Sequence, residues 1–340
     1  MSGRRPVPRW TDRLELGEGA RWVDGRLVLV DILTGRLLAA PRDDDDGGSG
    51  SGSGSGDASG DASGEADGRL DVLAELSVPL GAVAPVDGAP GVWIAAAGTG
   101  VCVLTHAGDV TWLGRVEPDA PVPMRVNDAT ADAHGRLWFG TMAYDGSDGA
   151  GSLYRVDRDG SIRRVLGGLT IPNGPAFSKD GGTLYLADSA RGSVHRYQVD
   201  ATTGELGAPS LFADFADVDG GPDGMTVDVE GGVWIANWGG SAVRRYLPDG
   251  RPDRVVGLPA VQPASVCLGG DDGRLLYVTT ATYGLNPPGP DDGAVLTIPV
   301  DVPGFAAAGF RAESRAAAVI DRLRSAGLAG HADCDQGKAE

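Results

Sequence analysis

One short pattern recurs along the chain and constrains its fold more than any other feature. An Asp or Gly turn leads into a run of apolar or aromatic residues that ends in small ones. It first reads Asp24-Gly25-Arg26-Leu27-Val28-Leu29-Val30-Asp31, and it returns around Trp93, Trp138, Tyr185, Trp234 and Tyr277. Taking Leu29 as the first marker, the six positions lie 64, 45, 47, 49 and 43 residues apart. The first interval holds a low-complexity stretch of 26 residues, 43–68, and subtracting it leaves 38. Strand-rich repeats of roughly 40–50 residues without a long helical pattern predict an all-β fold, a β-propeller with four-stranded blades. Six copies predict six blades. A β-sandwich is the competing architecture, but it does not require a sixfold period.

Other segments agree with this. Gly151-Ser152-Leu153-Tyr154-Arg155-Val156, Gly192 to Tyr197 and Ala242 to Tyr246 follow their markers and alternate at a period of two, as half-buried strands do. The propeller is expected over residues 7–303, with residues 9–14 as a candidate for closing the last blade. A C-terminal extension, 304–340, should carry a short helix around 311–326, with Val319, Ile320 and Leu323 on one face and Gly327 as its stop.

Residues 43–68 contain only Asp, Glu, Gly, Ser and Ala, with eight acidic residues and no basic one. Nothing there can bury apolar surface, so a solvated, disordered insertion between two strands is expected.

The formal charge of −18, from 47 acidic and 29 basic residues, argues against nucleic acid and anionic membrane as partners. No apolar run approaches the ~20 residues that span a bilayer. Met1 to Pro6 lacks the apolar stretch of a signal peptide, and Cys102, Cys267 and Cys334 fit no metal-ligand spacing. A cytoplasmic protein with free thiols is expected, either a monomer or a weak homo-oligomer.

Some 11 or 12 residues before each marker, each innermost strand should begin. The residues there are Glu18, Gly81 or Ala82, Asn127, Asn173, Asp223, and Ala264 or Ser265. Inner strands surround the propeller axis, so four blades should aim a carboxylate or carboxamide at one spot while two leave room. Oxygen donors without His or Cys suit a hard cation such as Ca²⁺ or Mg²⁺. As turn formers, Asn173-Gly174 and Asp223-Gly224 would each be ordinary on their own; their shared phase with Glu18 and Asn127 is what singles them out. Arg125 shares a strand face with Asn127, whereas Asp128 should point away and serve structure. Asp31 and Asp188 read as packing or turn residues, and Trp93, Trp138 and Trp234 as core.

These segments together resemble the SMP-30/gluconolactonase/LRE family of six-bladed propellers. The resemblance rests on Gly17-Glu18-Gly19-Ala20-Arg21-Trp22, on Arg125-Val126-Asn127-Asp128 leading to Gly135 through Met142, and on Pro172-Asn173-Gly174, Pro222-Asp223-Gly224-Met225 and Trp234 through Arg245. It covers roughly residues 14–303 outside the insert. It implies hydrolysis of a sugar lactone, a small-molecule substrate, to the aldonic acid. It also implies one divalent cation, Ca²⁺ first with Mg²⁺, Mn²⁺ or Zn²⁺ as alternatives, held by Glu18, Asn173 and Asp223. Arg125 and Asn127 would contact substrate. Asp145 stands where some sugar lactonases place an acidic residue that binds sugar hydroxyls. In such a site the cation would stabilise the developing oxyanion and acidify a water, with Asp223 as general base. Rival readings are a phosphotriesterase- or fluorophosphatase-like hydrolase on the same residues, or a non-catalytic calcium-binding propeller.

Overall fold

Each of the six repeat copies folds into one four-stranded antiparallel sheet in a computed structural model that describes residues 6–42, 68–105 and 108–334. The predicted insert therefore lies outside the described residues, except for Gly68. The innermost strands are Gly17–Val23, Leu80–Pro85, Met124–Ala131, Pro172–Phe177, Gly221–Val227 and Pro263–Gly269. Each pairs with a strand that carries one of the six markers. Neighbouring inner strands touch all the way round, closing the ring. The last blade is completed by Val7–Pro8, which pairs with Val295–Pro299. Closure thus lies just before the expected residues 9–14. Trp10 instead packs over Tyr277, with ring centroids 6.4 Å apart.

The recurring aspartate has a physical reason in two blades. Asp132 accepts from the backbone N–H groups of His134 (2.9 Å) and Arg136 (3.0 Å), from Arg136 Nε (2.6 Å), and from Trp138 Nε1 (2.9 Å). Asp228 repeats the arrangement with Glu230, Gly232, Trp234 Nε1 (2.9 Å) and Arg245 Nε (2.7 Å). One carboxylate so ties the turn to the indole six residues on, and bonds to a charged group contribute about 1.5–3 kcal/mol each. Trp138 and Trp234 are fully buried, as core residues should be. Trp93 is buried too, but its Nε1 finds no partner among the described residues. Its own repeat aspartate, Asp87, meets Arg311 Nε instead, at 3.3 Å.

All six inner strands break register at the same phase: Glu18/Arg21, Leu80/Ala82, Val126/Ala129, Asn173/Ala176, Pro222/Met225 and Pro263/Ser265. Such bulges bend a strand and re-aim its side chains. Asn173-Gly174 and Asp223-Gly224 therefore lie within bulged strands rather than in turns. Gly174 is required twice over. Its φ is +50°, and a Cβ there would stand 2.8 Å from Met225 N and 2.9 Å from Asp223 O. Gly81 is small for a similar reason, since a Cβ would come within 2.4 Å of Asn127 O. Its size serves the contact between blades rather than leaving room in the tunnel.

Beyond the last blade, residues 305–308 lie against the inner strands of five blades at the end of the tunnel away from Glu18 and Asp223. Phe310, fully buried, then bridges to Val86 of blade two. The helix runs from Ser314 to Cys334, starting later and ending later than the expected 311–326. Residues up to 313 remain extended because Phe310 and Glu313 bond to Pro85 and Arg158 carbonyls. Gly327 falls inside the helix, where glycine costs only about 1 kcal/mol. Val319, Ile320 and Leu323 pack on the core between blades two and three. No helix among the described residues is long and apolar enough to cross a membrane.

Candidate active site

Five of the six residues singled out in the sequence meet at one mouth of the tunnel. Glu18, Arg125, Asn127, Asn173 and Asp223 line a single cavity of about 230 Å³. All five are at least nine-tenths buried. Each comes from an inner strand at, or two residues before, its bulge, so one backbone irregularity repeated by the fold aims all of them at the axis.

Hydrogen bonds run in one direction across three blades. Arg125 Nη1 donates to Asn127 Oδ1 (2.7 Å) and to Val126 O (3.0 Å). Asn127 Nδ2 donates to Asn173 Oδ1 (2.6 Å) and to Pro172 O (3.1 Å). Asn173 Nδ2 donates to Ser189 Oγ (2.9 Å), whose proton goes to Pro222 O (2.6 Å), the residue before Asp223. This order fixes both carboxamides. It leaves Asn173 Oδ1 with one spare lone pair.

The two carboxylates are far less well satisfied. Asp223 Oδ1 is buried without a hydrogen-bond partner, and Glu18 Oε2 accepts only the N–H of its neighbour Gly19, at 3.3 Å. Burial raises both groups well above the ordinary carboxylate range; Asp223 and Asp128 raise Glu18 further, and Asp128 does the same to Asp223. Arg125 opposes this at both, while burial draws its own pKa down. Two buried carboxyl groups, one with an orphaned oxygen, lining one cavity with a carboxamide oxygen are donors that fit a hard divalent cation. Among the described residues no three His, Cys, Asp or Glu side chains cluster as metal ligands. The third oxygen here is the carboxamide of Asn173.

Asp128 faces the other way, as strand alternation requires. It accepts from Ala129 N (2.7 Å) and Gly174 N (3.0 Å), with Arg21 Nη2 at 3.8 Å. Asp31 and Asp188 are equivalent to one another. Each takes two backbone N–H groups just ahead of its blade's inner strand, Glu15 and Leu16 in one case, Thr170 and Ile171 in the other.

Asp145 does not join the site. It is exposed, and its Oδ1 accepts from Ser147 Oγ (2.6 Å) and Ser147 N (3.0 Å), bonds that lower its pKa. The rest of the cavity lining escaped the sequence reading: Leu16, Met142, Ile171, Ser189, Trp238 and Tyr283. Met142, Ser189 and Trp238 end or follow marker strands, a phase that carries no common residue type from blade to blade.

The family model described as "SMP-30/Gluconolactonase/LRE-like region" matches residues 16–282. Over 159 residues the chain is 40% identical to pentonolactonase XacC of Haloferax volcanii, an alignment that covers 47% of this chain and 54% of that protein. Over 186 residues it is 38% identical to L-arabinolactonase of Azospirillum brasilense, covering 53% and 60% respectively. It so spans little more than half the length of these curated relatives. A crystal structure of a calcium-binding protein, regucalcin, from Agrobacterium tumefaciens superposes with a TM-score of 0.76 at 28% identity, covering 90% of this chain and 98% of that one.

Proposed function

The chain belongs to the SMP-30/gluconolactonase/LRE-like family, and from that premise we propose that it hydrolyses a sugar lactone to the aldonic acid. The observation that carries this reading is Asp223 Oδ1, a buried carboxylate oxygen without a partner beside Glu18 and Asn173. Glu18, Asn173 and Asp223 would hold a divalent cation, Ca²⁺ first and Mg²⁺, Mn²⁺ or Zn²⁺ as alternatives. When bound, that ion supplies Lewis-acid charge for the carbonyl oxygen and acidifies a water.

The chain's own residues do the rest. Arg125 uses the N–H groups not spent on Asn127 and Val126 to hold the lactone oxygens and orient the ring. Asn127, locked between Arg125 and Asn173, keeps that guanidinium in place. Asp223 accepts the proton of the attacking water. As the ring C–O bond breaks, the same proton returns to the departing ring oxygen, giving the open hydroxy acid with no net consumption of base at the site.

Hydrolysis of glucono-1,5-lactone and a panel of pentono- and hexonolactones, followed by acid release above the spontaneous rate, tests the proposal. Turnover abolished by EDTA and restored by one of the four cations is the expected result. No turnover on any lactone in the presence of each cation would overturn it.

A further inference from the structure

One bulge in blade one aims two charged side chains to opposite ends of the tunnel. The register there breaks between Glu18 and Arg21; Glu18 lines the tunnel mouth, and Arg21 lines the cavity at the other end. The Arg21 guanidinium reaches past blade two. Nη1 donates to Ala20 O on its own strand (2.8 Å), and Nη2 donates to Ala129 O on the inner strand of blade three. The same Nη2 lies 3.8 Å from Asp128 Oδ1, while Nε is buried without a partner. An arginine stem that merely covers apolar surface keeps its head in water. This one gives up water at Nε and joins two blades.

Asp128 extends the tether to blade four. Its Oδ1 accepts from Ala129 N (2.7 Å) and its Oδ2 from Gly174 N (3.0 Å). Gly174 follows Asn173, and Asn127 Nδ2 holds both Asn173 Oδ1 and the carbonyl before it, Pro172 O. Adjacent residues on opposite faces of one strand so grip Asn173 from both sides. Asp128 is buried, and a buried carboxylate needs a cation and hydrogen-bond donors beside it. Arg21 is that cation.

Glu18 and Asn173 come from blades one and four, opposite one another in the ring, so no shared strand pairing fixes their separation. A hard cation needs its oxygens at set distances. We propose that Arg21 and Asp128 are positioning residues for the cation site, a bridge from blade one to blade four that fixes the span between Glu18 and the Asn173 oxygen. This rests on the cation reading above and deepens it, since each of the two acts through another residue.

Arg21→Gln separates geometry from charge. By Coulomb's law alone, removing a positive charge near the site should tighten cation binding. Losing the bridge should instead weaken it by about ten- to a hundredfold. Calorimetry on the EDTA-stripped protein first finds which of Ca²⁺, Mg²⁺, Mn²⁺ and Zn²⁺ binds most tightly, and the variants are titrated with that ion. Asp128→Asn, whose single oxygen cannot accept from both amides, should weaken binding to a similar degree. Arg21→Lys, the milder change, keeps the charge without the two-armed reach and should still weaken it. Exchange of the Gly174 amide, followed in EDTA without any cation, should be faster in all three variants.

Binding equal or tighter in Arg21→Gln overturns the inference and leaves the cation and lactonase readings standing. If the unmutated protein binds none of the four ions, the cation reading falls. Exchange at Gly174 then decides whether the bridge holds Asn173: faster exchange upholds it, and unchanged exchange overturns it. Neither readout uses a lactone, so a failure here and a failure of the lactonase reading stay distinct.

Discussion

Asn127 Nδ2 donates to Asn173 Oδ1 across 2.6 Å, joining the inner strands of blades three and four at the tunnel mouth. Neither residue is free to turn. Asn127 is held by Arg125 on its oxygen side, and Asn173 by Ser189 on its nitrogen side. The amide of blade three so fixes the oxygen of blade four in the cavity that Glu18 and Asp223 also line, while tethering Arg125, the one cationic side chain among the described residues of that lining.

Asn127→Ala removes both tethers and leaves buried partners unpaired. We expect kcat/KM to fall by about ten- to a hundredfold. The far-UV circular dichroism spectrum should not change. Loss of the sheet spectrum would instead make Asn127 a folding residue.

Among the buried carboxyls, Asp128 included, Glu18 and Asp223 are raised most and make one contribution to how stability depends on pH in the cation-free protein. Their folded pKa values lie above the unfolded ones, so the folded state binds more protons from about pH 4 upward until both groups have ionised. Their contribution to stability in EDTA should therefore be fullest at acid pH, fall as pH rises through the raised values, and level off beyond them. A divalent cation displaces those protons, so its gain in melting temperature should be larger at pH 8 than at pH 5. Thermal melts at the two pH values, with and without Ca²⁺, check this. An equal gain at both would contradict it.

Phe310 tests the C-terminal strap. It is fully buried between the propeller and the helix, and its backbone bonds to Pro85 O and Asp87 N at 2.8 and 2.9 Å. Phe310→Ala should cost about 3–5 kcal/mol in stability by urea denaturation. Because the strap lies at the other end of the tunnel, kcat/KM at 25 °C should stay within about twofold. A larger loss of turnover would mean that the strap supports the site.

The fold was legible because blade geometry repeats. Each copy needs an apolar marker strand at one interval, so Leu29, Trp93, Trp138, Tyr185, Trp234 and Tyr277 stand in register whatever the loops between them do. Glu18, Asn127, Asn173 and Asp223 were legible for the same reason, as polar residues at a phase that a ring of strands turns inward. The bulges that aim them were not: a glycine sits in four of the six, Gly19, Gly81, Gly174 and Gly224, but the same residue also marks ordinary turns. Trp238, Met142 and Ile171 escaped notice because an apolar residue near a strand end looks like core. Asp145 follows Met142 in the sequence but belongs to a turn that Ser147 closes outward. The helix start was displaced by Phe310, whose anchoring in blade two is a tertiary contact that no local propensity encodes.

In the proposed function Asp223 both holds a divalent cation and carries the proton in lactone hydrolysis. Asp223→Asn probes both roles at once, assayed for turnover on the best lactone and for Ca²⁺ binding by calorimetry. The variant should lose turnover by about 10²–10⁴-fold and bind Ca²⁺ more weakly. Removing a buried unpaired carboxylate should also raise its melting temperature in EDTA. Turnover within a few-fold of the unmutated protein, or Ca²⁺ affinity unchanged, would remove Asp223 from the corresponding role.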